Sequence, residues 1–184
     1  MILLVAATNE ELSPIGGTRA ITSGLGPVDA ALATQAALAD GEPGAVLHIG
    51  IAGARRASGL QLLDVVIGSE SLYSDHRLRT LPAPVERADE GLVAAARRAL
   101  PCAHVLPIAT SGRVGGGSGA DVEAMEGYGV LRAAARAGVP AVEVRVISNE
   151  VEEEDRARWR FAEAFAVLQS ILPDLVREVS RCVS

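Results

Sequence analysis

The chain has 184 residues, 49% of them hydrophobic and 22% charged, with a formal net charge of −6 at pH 7. That length suits a single domain over residues 1–184 with a substantial core, and the apolar share argues against disorder. The acidic balance would repel a phosphate backbone, and the arginines are not interleaved with aromatic residues, so nucleic-acid binding is not expected. Cys102 and Cys182 form no CxxC pair; neither a disulfide framework nor a metal site is expected, and a reduced cytoplasmic setting is.

Taken in chain order, Ile2–Ala7 reads as a buried first strand. It is too short for the core of a signal peptide and lacks a basic leader. Ala20–Ser23 is a second short strand that ends at Gly24-Leu25-Gly26-Pro27, where Pro27 suits the first position of a helix running to Ala39. Ala45–Ile49 is a strand expected to break at Gly50-Ile51-Ala52-Gly53, and Val65–Ser69 is another. The segment Arg79–Glu86, with Pro82 and Pro84, is expected to be irregular. A helix from about Asp89 to Leu100 and a strand over Val105–Ala109 follow.

Five glycines within Gly112–Gly119 mark a loop or a close backbone approach to a ligand. Val122–Ala137 is expected to be helical with Gly138 as its C-terminal cap, Ala141–Ile147 to be a strand, and Arg156–Val183 to be a long helix kinked near Pro173. No apolar run reaches the roughly 20 residues of a membrane span, so no membrane partner is expected. Alternating strands and helices imply an α/β fold with a largely parallel sheet, whose ligands gather beyond the strands' carboxyl ends.

Six segments, in matching order and spacing, carry a resemblance: Ala6–Leu12, Ser23–Ala31, Gly50–Gly53, Ser69–Asp75, Val122–Gly127 and Val144–Asn149. Together they resemble the nucleoside phosphorylase and nucleosidase superfamily, which implies a three-layer α/β/α sandwich around a twisted, mixed sheet. Ile147-Ser148-Asn149-Glu150-Val151, followed by Asp155-Arg156 and Trp159, looks most like the futalosine hydrolase branch. The implied reaction is phosphate-independent hydrolysis of futalosine to hypoxanthine and dehypoxanthine futalosine, a step of menaquinone biosynthesis, without a cofactor. Two alternatives stay open: a methylthioadenosine or adenosylhomocysteine nucleosidase, and a non-catalytic purine-binding protein on the same scaffold.

Cleaving a purine N-riboside leaves positive charge on the ribose and negative charge on the base. The resemblance makes Glu11 the base that activates water, with Glu10 one register position away; read from the residues alone, both are first-turn acids at a helix start. It makes Glu126 the acceptor of the ribose hydroxyls, with Met125 packed on the sugar, although such residues are more often a solvated glutamate and a core methionine. It places Ile51, Ala52 and Gly53 along the nucleoside and Val114 against the purine.

Asn149 stands where adenine-specific relatives carry aspartate. Its amide offers a donor and an acceptor, suited to N7 and the 6-oxo group of hypoxanthine; as an isolated residue it would be an ordinary turn asparagine. Phosphorylases of the superfamily carry a Gly-Asp-Pro-x-Arg type loop near the N-terminus, whereas this chain has Ala7-Thr8-Asn9-Glu10-Glu11, whose carboxylates repel phosphate. Arg145 is shared with hydrolytic relatives and otherwise reads as a structural ion pair. The interval from Val114 to Met125 is shorter than in relatives, which removes part of the pocket wall. Arg55, His76 and Arg113 are candidate cations for the carboxylate on the 5′ side of futalosine, and the resemblance also implies a homo-oligomer.

Overall fold

A computed structural model describes residues 1–12, 15–75, 81–115 and 118–183. Among these, the strands are β1 (Ile2–Ala6), β2 (Thr18–Thr22), β3 (Ala45–Ala54), β4 (Val65–Tyr73), β5 (Val85–Arg87), β6 (His104–Thr110), β7 (Val122–Ala124) and β8 (Ala141–Glu150). The helices are α1 (Pro27–Ala39), α2 (Glu90–Ala99), α3 (Gly127–Ala137) and α4 (Phe161–Ser180).

β1 shows why its sequence is apolar throughout. Ile2, Leu4 and Ala6 join a cluster with Leu92 and Ala95 of α2 and with Leu168, Leu172 and Leu175 of α4. Leu3 and Val5 point the other way, into a cluster with Ala30 and Ala37 of α1 and Val130, Leu131 and Ala134 of α3. A strand covered on both faces loses the polar alternation of a half-exposed one. The result is a mixed α/β fold with helices on both sides of the sheet.

β2, β1, β3 and β8 run parallel in that order, so the ends of β1, β3 and β8 face the same way. β4 joins β8 and β5 antiparallel and β6 in parallel, while β7 lies between β6 and β3. Because β8 pairs with both β3 and β4, the strands β3, β8, β4, β6 and β7 close into a ring. Ala52, Ala54, Val66, Ile108, Val122, Ala124 and Ile147, drawn from all five, form one apolar cluster that fills it.

Local chemistry sets the helix ends. Asp89 caps α2 by accepting the Leu92 N–H at 3.0 Å, and Gly138 closes α3 in the left-handed conformation at φ 71°. Four expectations need correction. β3 does not break at Gly50 but continues to Ala54, because β8 pairs along its whole length. Val122–Ala124 is a strand, captured by β3 and β6, so the helix starts only at Gly127. Within the stretch expected to be irregular, Val85 and Glu86 pair with β4. The last helix starts at Phe161, after a separate 3-10 turn at Arg156–Arg158 capped by Asp155, and it runs through Pro173. No helix among the described residues is long and apolar enough to cross a membrane.

Candidate active site

The site lies past the carboxyl end of β1, along the carboxyl-terminal halves of β3 and β8. β1 runs into a single 3-10 turn, Asn9–Glu11, in which the Glu11 carboxylate reaches back to accept the Thr8 N–H at 2.9 Å. Its other oxygen accepts the Ile51 N–H at 3.3 Å. Glu11 is therefore folded inward, 3% exposed, while Glu10 beside it is exposed.

Glu126 occupies the turn between β7 and α3 rather than a helical surface, and is also 3% exposed. Gly26, in the turn before α1, donates its N–H to Glu126 Oε1 at 3.1 Å. Met125, next to it, is half-buried.

Arg145 of β8 contacts Glu126 directly and acts on Glu11 through its charge. Its side chain is 1% exposed, with Nη2 3.4 Å from Glu126 Oε2, Nη1 3.4 Å from the Ile51 carbonyl and Nε 2.7 Å from Glu143 Oε1. Nη2 also meets Nε2 of His48. Space for the guanidinium comes from Gly50, its partner across the β3–β8 ladder. A Cβ there would run into Arg145 Nη1 and stand 2.7 Å from Glu11 Oε1.

Burial fixes the protonation tendencies. Desolvation raises the Glu11 pKa above the usual carboxylate range, the Arg145 charge and the Thr8 N–H oppose that rise, and the Glu126 charge adds to it. Glu143 is raised for the same reason, against the pull of Arg145. Burial also opposes the charge on Arg145, but Glu143, Glu126 and Glu11 outweigh it and hold the guanidinium firmly protonated. Burial and the Arg145 charge push His48 well below its ordinary value. The ring is thus neutral, with Nδ1–H donating to the Val5 carbonyl at 3.0 Å and Nε2 accepting from Arg145.

Asn149 sits at the far end of β8, opposite Gly53 of β3, just past a register shift that leaves Ser148 as an extra residue. The Ser148 hydroxyl donates to Asn149 Oδ1 at 2.9 Å, and Nδ2 donates to the Glu150 carbonyl at 3.0 Å. These bonds fix the plane of the amide and leave one N–H of Nδ2 for another acceptor. Arg160 N–H donates to the Ser148 carbonyl at 2.8 Å, tying the segment from Asp155 to Trp159 beside this strand end. Ile51 is half-buried, while Ala52 and Gly53 are buried in the ladder between Glu11 and Asn149.

The rim is built differently. Val114 is 48% exposed. Asp75 accepts the Gly112 N–H at 2.5 Å, and Glu123 accepts the Ser118 N–H at 2.7 Å and its hydroxyl at 2.6 Å, so two carboxylates anchor the glycine-rich loop. Gly116, Gly117 and His76 lie outside the described residues. Arg55 is occupied by the Ala120 carbonyl and by Glu123, whereas Arg113 is exposed.

Sequence reasoning did not single out His48, Glu143 or Glu123. A signal was present: His48 interrupts an otherwise apolar β3, Glu143 stands two residues from Arg145 in β8, and a polar residue inside a doubly covered strand must find a buried partner. Among the described residues no cluster of His, Cys, Asp or Glu is arranged to hold a metal ion.

Over 50 residues the chain is 58% identical to futalosine hydrolase of Streptomyces coelicolor, covering 27% of this chain and 21% of that protein. It is 53% identical over 57 residues to futalosine hydrolase of Acidothermus cellulolyticus, covering 27% and 23%. The matched stretches thus span about a fifth of those relatives' lengths. Among solved structures, a futalosine hydrolase mutant of Helicobacter pylori superposes with a TM-score of 0.84 at 21% identity, over 96% of this chain and 98% of that one. A methylthioadenosine/adenosylhomocysteine nucleosidase from S. pneumoniae with a transition-state inhibitor gives 0.82 at 20% identity, over 97% and 99%. The corresponding nucleosidase of Colwellia psychrerythraea in complex with adenine gives 0.83 at 20% identity, over 97% and 95%. The family model of the Phosphorylase superfamily matches residues 16–183, and the chain belongs to that superfamily.

Proposed function

We propose that the chain is a phosphate-independent nucleosidase that cleaves a 6-oxopurine nucleoside, futalosine first among candidates, and releases hypoxanthine. The observation that carries this reading is the arrangement of Glu11 and Glu126 around one guanidinium, with Asn149 at the neighbouring strand end. Glu126 holds the ribose hydroxyls, and Met125 packs on the sugar. Glu11, with its pKa raised toward the working pH, takes a proton from water as the water oxygen bonds to C1′. The C1′–N9 electron pair leaves with the purine, whose developing negative charge meets the free N–H of Asn149 and which takes a proton from solvent as hypoxanthine is released. Ile51, Ala52 and Gly53 flank the nucleoside, and Val114 meets the base.

Asn149 supports the 6-oxo preference. With Oδ1 held by Ser148 and one N–H by Glu150, the remaining N–H suits a carbonyl oxygen such as O6. An aspartate here would set acceptor against acceptor, and mismatches of that kind discriminate by up to about 10⁴-fold. The partial matches to two futalosine hydrolases support the same choice and, with it, a place in menaquinone biosynthesis. The free, exposed Cys102 and Cys182 support a reducing, cytoplasmic setting.

A homo-oligomer built from single-domain subunits is part of this reading. Leu25, Val28 and Leu32 are 65%, 66% and 62% exposed, and they form an apolar stripe from the turn before α1 along that helix.

The test is incubation with futalosine, inosine and methylthioadenosine, with and without phosphate, while free base is followed. Hypoxanthine release independent of phosphate is the expected result; adenine release alone would make the chain a methylthioadenosine nucleosidase. Binding of hypoxanthine without turnover would favour a purine-binding protein, a reading to which the exposure of Val114 lends weight.

A further inference from the structure

His48 and Glu143 form a second row beneath the site. They are ladder partners, two residues before the Gly50–Arg145 pair on the same two strands, and so lie on the same face, one step further from the carboxyl ends where Glu11 and Asn149 sit. Both are at most 1% exposed. Neither can touch a ligand bound at the strand ends. Both touch Arg145, His48 through Nε2 and Glu143 through Oε1.

Each is itself fixed. The Val5 carbonyl holds the His48 ring by its Nδ1–H, so Nε2 presents a lone pair to the guanidinium. The Glu143 carboxyl lies against Gly127, where a Cβ would stand 2.5 Å from its carboxyl carbon. That glycine is the first residue of α3, and the positive end of the helix dipole favours a carboxylate there. Oε2 of Glu143 has no hydrogen-bond partner among the described residues, so the carboxyl is held through Oε1, which accepts from Arg145 Nε.

We infer that His48 and Glu143 are positioning residues: they fix the plane and balance the charge of Arg145, and through it set the ionisation of Glu11. The inference rests on the reading of Glu11 as the general base. One guanidinium faces three carboxylates, Glu11 on the turn after β1, Glu126 before α3 and Glu143 on β8, with a neutral imidazole on β3. If Glu143 loses its charge, the field of Arg145 falls more strongly on Glu11 and Glu126. Glu11 then gives up its proton more readily, and a reaction that needs it ionised keeps its rate to lower pH.

The experiment compares wild type with Glu143→Gln by following the carboxyl carbon of Glu11 through a pH titration by NMR, assigned with Glu11→Gln, alongside the pH dependence of kcat and KM. The expected result is a fall of about one unit in the Glu11 pKa and in the acid limb of kcat, with about a tenfold lower kcat and KM within threefold. An unmoved Glu11 titration overturns the inference, whatever happens to thermal stability. The titration needs no turnover, so a protein that cleaves no nucleoside would defeat the functional reading while leaving this test decisive. If Glu143→Gln does not fold, the His48 pair serves. His48→Gln, whose amide oxygen replaces the Nε2 acceptor, is expected to keep the wild-type acid limb, and His48→Leu to move it with a fall in kcat. Equal limbs in both His48 variants would overturn the inference.

Discussion

The floor and the rim of the site are made of opposite materials. The floor is a set of polar and charged side chains almost wholly withdrawn from water, in which Glu11, Glu126, Glu143, the neutral His48 and Arg145 touch or oppose one another across two strands and two turns. The rim is glycine-rich, exposed at Val114, and tied to the body through Asp75 and Glu123. In the floor, removing one group leaves another charge buried without its partner, which costs about 3–5 kcal/mol. At the rim each contact is local, so its loss stays local. The proposed chemistry is thus concentrated where the structure tolerates least change, and the proposed enclosure where it tolerates most.

The largest break in that comparison comes from Glu11→Gln. It should lower kcat by about 10²–10⁴-fold while calorimetry still detects nucleoside binding; turnover within tenfold of wild type would remove Glu11 from the mechanism. Asn149→Asp should shift the preference from 6-oxo to 6-amino purine nucleosides by about 10²–10⁴ in relative kcat/KM, as read from competing inosine and methylthioadenosine. An unchanged ratio would take specificity away from this position.

Gly50→Ala places a Cβ against Arg145 and Glu11, and overpacking of this kind costs about 1–3 kcal/mol. A thermal transition equal to wild type would mean that the floor yields where its geometry says it cannot. A smaller effect is a pH slope of stability. The folded-state pKa values of Glu11 and Glu143 are raised, so above their unfolded values the native state holds protons that the unfolded state has released. Their contribution is therefore present at low pH and lost as pH rises through the folded values. As pH rises above the ordinary carboxylate range, Glu11→Gln and Glu143→Gln should each flatten the decline in thermal stability. Smallest of all, Val114→Ala at the rim should change kcat/KM by less than about threefold; a much larger loss would show that the rim carries binding energy the comparison assigns to the floor.

Legibility followed the same division. The continuous apolar character of β1, the proline opening α1 and the glycine closing α3 are local signals, and each marked its element. Glu11 and Glu126 were reachable only through their surrounding strings, since an acid after a strand is ordinarily a solvated helix start. The limits of β3 and the extent of α3 were misread because Gly50 resembles a strand end and Val122–Ala124 resembles a helix start. Neighbouring strands decide both: β8 carries β3 past its glycines, and β3 and β6 capture β7.

The sequence by itself determined the order of the elements apart from β5 and β7, the apolar faces and the residue types available at the strand ends, because propensity, caps and periodicity act over a few residues. Only the tertiary structure decided that Arg145, read along the chain as a structural ion pair, stands between Glu11, Glu126, Glu143 and His48. Those partners lie 2, 19, 97 and 134 positions away along the chain. What brings them together is the parallel pairing of β1, β3 and β8, the turn before α3, and the clearance left by Gly50 and Gly127. Burial then gives those charges their strength, because water no longer screens them.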